Sequence, residues 1–118
     1  MTTDGDGLDR GRLDELKSLD ASGAMLRNVI ATFDATTGQL LGDLESQLDS
    51  GQDDPARETA HTLAGRALMI GATAAGESAR SLEHCLVAGD PAGARTRWPD
   101  VQQAFARARE SLAAYVAD

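Results

Sequence analysis

Aromatic residues make up only 3% of this 118-residue chain, as two Phe, one Trp and one Tyr. No run of β-branched residues alternates with polar ones, so the period-two signature of strands is missing and the pattern argues against a β-sandwich core. Cys85 is the only cysteine, which rules out an intramolecular disulfide and leaves no framework for zinc. Positive charge is scarce as well: 11 basic residues face 19 acidic ones, for a net charge of −8. A nucleic-acid partner needs a basic footprint, and an anionic membrane surface repels such a chain. There is no stretch of about 18 apolar residues and no apolar leader at the N-terminus, so the protein reads as soluble and cytoplasmic. The length suits one domain with a real core and is too short for two.

Ala, Leu, Val and Ile at helical spacing supply the apolar content, so the fold class is all-α. Residues 1–7 are polar and glycine-containing and form a flexible N-terminus; residues 8–118 form the domain. Leu8, Leu13, Leu16 and Leu19 mark a short first helix, weakened by Gly11. Ser22 is placed to cap a longer helix carrying Met25, Leu26, Val29, Ile30 and Phe33. The same stripe resumes at Leu40, Leu41, Leu44 and Leu48, and the weak formers Thr36, Thr37 and Gly38 allow one helix with a soft middle or two helices, of which one long helix is the favoured reading. Asp54 as cap with Pro55 at the first helical position opens the next segment, which stops at Gly71. Thr73 caps a fourth segment that ends at Gly89. Asp90 and Pro91 begin the last, in which Pro99 should kink or restart the helix. Short loops favour antiparallel neighbours. The expected architecture is an up-down antiparallel four-helix bundle, with the short N-terminal helix covering one end.

The run of residues 61–72 carries the chemistry. On the helix that bears it, Ala56, Ala60, Leu63, Ala67 and Ile70 form an apolar row with spacings of four, three, four and three. His61 lies about 100° from that row, on an exposed flank with Gly65 and Leu68. Beside it Ala64 and Gly65 strip the surface of bulk. A helical glycine costs roughly 1 kcal/mol relative to alanine, and it has a reason here if another molecule must approach the imidazole closely.

This run resembles the signature of histidine-containing phosphotransfer (HPt) domains, His-x-Leu-Lys-Gly followed by small residues and a Gly-Ala pair. The stripes at residues 13–19, 25–33 and 40–48, Gly51, the pair Leu82-Glu83 and the C-terminal helix fall where that family has comparable features. The resemblance implies a four-helix bundle and a phosphorelay intermediate of two-component signalling. His61 would accept a phosphoryl group from a receiver-domain phospho-aspartate and pass it to another receiver aspartate. Partners would be response-regulator receiver domains or a hybrid histidine kinase, with no nucleic acid and no membrane, and the protein would act as a monomer. It further implies no cofactor or metal site on this chain, because the Mg²⁺ of such exchanges belongs to the receiver.

A phosphoryl acceptor needs an unprotonated nucleophile, donors to screen the phosphoryl oxygens, and open space. A free imidazole titrates near pH 6.5, so an exposed one supplies the nucleophile without special tuning. The family's lysine, three residues after the histidine, is replaced by Ala64. Arg66 lies about 140° round the helix and is poorly aimed. Arg57, one turn before His61 and on nearly the same face, is the better phosphate-stabilising cation. Its plainer role is that of a solvated surface charge near Glu58 or Asp54.

A lone histidine on a helix flank is most often a solvated surface residue, and His84 reads that way. Cys85 and Trp98 read as packing residues. The series Met25 to Phe33 is mostly core, with one or two members left to help dock a receiver. The chain begins with methionine and carries no linker, which favours a free-standing relay protein over the substrate domain of a chemotaxis-type kinase. The alternative is a non-phosphorylated helical interaction module that binds a kinase or receiver domain. An enzyme with its own turnover has least support, since neither a nucleotide-binding glycine loop nor a hydrolytic constellation is present.

Overall fold

The structure of the protein, a computed structural model, describes residues 5–117. Residues 1–4 of the N-terminal segment expected to be flexible, and Asp118, lie outside the described residues. Among the described residues there are five helices and no strand: α1 (Arg10–Ser18), α2 (Ala24–Asp49), α3 (Asp53–Met69), α4 (Thr73–Val87) and α5 (Pro91–Ala117). The all-α expectation holds, and so does the single long second helix.

Local chemistry sets the ends of each helix. The Asp9 carboxylate caps α1 by accepting from the Arg12 N–H at 3.1 Å. Before α2, Ser22 shares the capping with Asp20, whose carboxylate accepts from the backbone N–H groups of Ser22 and Met25, each at 3.1 Å. Those donors hold the Asp20 carboxyl below its ordinary range, the Ser22 N–H contributing most. Gly23, at φ 75°, occupies the N-cap position that was expected for Ser22. Helix α3 starts at Asp53, with Pro55 at its third residue instead of its first. The first turn of a helix has no intrahelical use for its N–H groups, so the proline costs nothing there. Thr73 is the first residue of α4 and not its cap, and its side chain is buried. Asp90 does cap α5, accepting from the Gly93 N–H at 2.9 Å. Pro99 sits inside α5 without restarting the helix.

Helices α2, α3, α4 and α5 share one core. Leu44, Ala60, Leu63, Leu82, Val101, Phe105 and Leu112 are fully or almost fully enclosed, and Phe33 stacks near Phe105 with ring centroids 6.5 Å apart. The row predicted on α3 is buried along its whole length, from Ala56 to Ile70. Segment pairing is fixed by particular contacts: Thr59 donates to Gln47 at 2.8 Å, Arg95 Nη2 reaches the Leu48 carbonyl at 2.9 Å, and Arg109 lies 3.5 Å from Asp34. The chain before α1 is tied to the turn between α3 and α4, where Asp9 N–H donates to the Gly71 carbonyl at 2.7 Å and Ala74 N–H to the Gly7 carbonyl at 3.1 Å. Gly71 has φ 84°, and an added Cβ would stand 3.0 Å from the Asp9 carbonyl oxygen, so a side chain there meets both strain and a wall. Tyr115 near the end of α5 donates a short hydrogen bond to Asp14 of α1. Leu13 is buried beneath α1, but Leu19, expected on its apolar side, is 71% exposed.

Candidate functional site

Helix α3 carries His61 on its outer flank, next to α4. The imidazole side chain is 77% exposed, as its position on the helix wheel predicted. Its Nδ1 lies 2.8 Å from Oε2 of Glu83 on α4, and the Glu83 side chain is only 16% exposed. A carboxylate only accepts hydrogen bonds, so in the neutral ring Nδ1 carries the hydrogen and Nε2 keeps a free lone pair. The packing that brings the two side chains together is close. At Gly76 an added Cβ would stand 2.7 Å from Leu68 Cγ and 3.3 Å from the Ala64 carbonyl oxygen, so α4 approaches α3 where only a glycine fits.

A cleft of about 480 Å³ opens around the imidazole, lined by Arg57, Glu58, Thr62, Glu83 and Val87. Arg57 thus shares a cleft with His61, and it has no hydrogen bond or ion pair among the described residues. Gly65 is exposed, and an added Cβ there meets nothing within 4 Å. The bare surface foreseen beside His61 is therefore real at Gly65. It is not real at Ala64, which is 2% exposed and turned into the α3–α4 seam. Leu68, expected on the His61 face, is half-buried in the same seam against Gly76.

The profile of the Hpt domain family matches residues 28–117. The chain belongs to the Hpt domain family. No curated protein and no solved structure matches it. Hpt domains are phosphotransfer carriers of two-component signalling, not enzymes in the usual sense, and they interact with receiver domains and kinases. Among the described residues no helix is long and apolar enough to cross a membrane.

In this Hpt domain the position of the family's lysine is closed by tertiary packing. Arg66 points to the other side of α3, as expected, where it lines a second groove of about 490 Å³ with Leu16, Met25, Val29 and Met69. Leu26, Ile30 and Phe33 are core, while Met25 is half-buried and Val29 is 39% exposed. His84 is exposed and contacts neither His61 nor Glu83 through a hydrogen bond among the described residues. Cys85 is half-buried and accepts from Arg97 Nε at 3.2 Å, and Trp98 is half-buried with its N–H on Glu45 at 3.3 Å.

Glu83 is the contact of His61 that sequence reasoning missed. The Leu82-Glu83 pair was noticed as a family feature, yet nothing in the spacing tied it to an imidazole 22 positions earlier. Its one visible signal is an acidic residue at the edge of the α4 apolar stripe, directly after Leu82, where burial of a carboxylate calls for a partner.

Proposed function

We propose that His61 is the phosphoacceptor of a phosphorelay, loaded from a receiver phospho-aspartate and unloaded onto another receiver aspartate. The observation that carries this reading is the His61–Glu83 contact at 2.8 Å beneath an otherwise open imidazole. The Nε2 lone pair attacks phosphorus, the N–P bond forms, and the P–O bond to the donor aspartate breaks with its electron pair leaving on the carboxylate. The Nδ1 hydrogen stays on its hydrogen bond to Glu83, which offsets the positive charge the ring acquires. The reverse sequence loads the acceptor. Any Mg²⁺ is held by the receiver, and Arg57 screens the phosphoryl oxygens from the near side of the cleft.

The helix pairings support reading α2 to α5 as an up-down antiparallel bundle closed at one end by α1. Helices α2 and α5 run in opposite senses, since Leu48 meets Arg95 while Asp34 meets Arg109, and so do α3 and α4, since His61 meets Glu83 while Leu68 meets Gly76. Gly65 leaves room for the receiver, and the groove with Met25, Val29 and Met69 offers it apolar surface. We take the acting unit to be a monomer.

Incubation with a phosphorylated receiver should give acid-labile, base-stable label on the wild-type protein and none on His61→Gln. The variant should keep the helical content and melting temperature of wild type. Undiminished label on His61→Gln would move the assignment to another residue. Stable receiver binding by a wild-type chain that takes no label would favour the interaction module instead.

A further inference from the structure

Loading His61 creates an electrostatic problem that the cleft does not solve by itself. A phosphoryl group brings roughly two negative charges at neutral pH. It would arrive across the ring from the Glu83 carboxylate, with Glu58 on the same cleft wall and Arg57 the one Arg or Lys lining the cleft among the described residues. The lysine typical of the family is replaced by Ala64, which is buried in the helix seam.

Helix α4 carries a second cation on the other side. Arg80 precedes Glu83 by three residues, which places it about 4.5 Å along α4 and about 60° around it. The buried stripe of α4 is Ala75, Ala79, Leu82 and Leu86. Arg80 lies off that stripe, on the same flank as Glu83 and Val87, which border the imidazole cleft. The two helices run in opposite senses, since His61 meets Glu83 while Leu68 meets Gly76. A step back from Glu83 to Arg80 is therefore a step forward along α3, from His61 toward Gly65. At Gly65 the surface is empty to 4 Å beyond an added Cβ, so a long side chain can cross it. Arg80 is exposed and has no hydrogen bond or ion pair among the described residues.

We propose that Arg80 is the principal phosphate-binding cation of this protein, reaching from α4 across the notch at Gly65 to the phosphoryl oxygens on His61. This rests on the reading of His61 as phosphoacceptor. It gives Gly65 a second use, as clearance for the guanidinium, and it supplies from the opposite helix the charge that Ala64 cannot. An arginine is suited to the longer reach because its fork holds two oxygens at once.

Phosphoramidate, a small phosphodonor, tests the chemistry without receiver docking. Loading of wild type, Arg80→Ala, Arg80→Gln and Arg80→Lys is followed at low and high salt, and ³¹P NMR follows the titration of the bound phosphoryl group. Arg80→Ala and Arg80→Gln should load about threefold to tenfold more slowly at low salt, with the difference shrinking at high salt. The ³¹P midpoint should move to higher pH without the cation, and Arg80→Lys should recover part of both effects. Melting temperatures should match wild type, because the side chain is exposed. Loading rates and ³¹P midpoints unchanged in Arg80→Ala would overturn the inference while leaving His61 as phosphoacceptor. A wild-type protein that takes no label from phosphoramidate or from any phosphorylated receiver would overturn both readings together.

Discussion

At the scale of single residues, the site depends on one contact and one gap. The contact is the Glu83 carboxylate on His61 Nδ1, which leaves Nε2 as the nitrogen available for the proposed attack. A charge-assisted hydrogen bond is worth roughly 1.5–3 kcal/mol, less where one partner is as exposed as this imidazole. Glu83→Ala should therefore load several-fold more slowly, and Glu83→Gln, which keeps an acceptor but not the charge, should fall between it and wild type. Stopped-flow or quench measurement of loading from phosphoramidate checks the order. The gap is Gly65. Because an added Cβ meets nothing, Gly65→Ala should raise stability by up to about 1 kcal/mol in chemical denaturation. Gly65→Gln should fold equally well and transfer more slowly from a receiver. Ala64 shows why the sequence alone misjudges such neighbours: a small residue looks like open surface until the helix packed against it is known, and here Gly76 brings α4 close enough to bury it.

At the scale of helices, much was legible, and the failures have physical causes. The stripe on α2 keeps its phase through Thr37, so packing outweighs the weak propensity of Thr36, Thr37 and Gly38 and the helix does not break. The row on α3 was read correctly because alternating spacings of four and three are specific to one helix face. Cap positions were misjudged by a residue or two, since a proline is tolerated anywhere in the first turn and the N–H groups opening α2 are divided between Ser22, which takes that of Ala24, and Asp20, which takes that of Met25. Glu83 stayed silent because its partner belongs to another helix, and no periodicity crosses a turn. Helix α1 illustrates the same limit: its tie to α5 is made by Tyr115 and Asp14, near opposite ends of the chain. Burial, and then the Asp14 carboxylate, push the Tyr115 phenol up from 10.0 to about 12. A folded-state value above the unfolded one means that the contact stabilises the fold fully below pH 10 and is lost as pH rises through about 12. Thermal unfolding across that window should show stability falling in wild type, and a shallower fall in Tyr115→Phe, which starts lower.

At the scale of the whole molecule, the chemistry and the apolar groove occupy different sides of α3, joined by the spiral from His61 through Gly65 to Met69. Met69 is 69% exposed at the end of that spiral. Met69→Gln should weaken transfer from a receiver by about tenfold at limiting receiver concentration, the scale of one partly buried methionine, while loading from phosphoramidate stays as in wild type. Equal losses with both donors would place Met69 in the chemistry instead of in docking. The manner in which the imidazole is held has a consequence for what a partner can sense. The scaffold grips Nδ1 and leaves the imidazole 77% exposed, so a phosphoryl group placed on Nε2, as proposed, would break no hydrogen bond between helices. Loaded and empty forms would then share one backbone, and the signal would be stored as charge instead of shape. A receiver would tell the two apart by electrostatics at the instant of encounter, and the protein would keep no conformational memory once the group had gone.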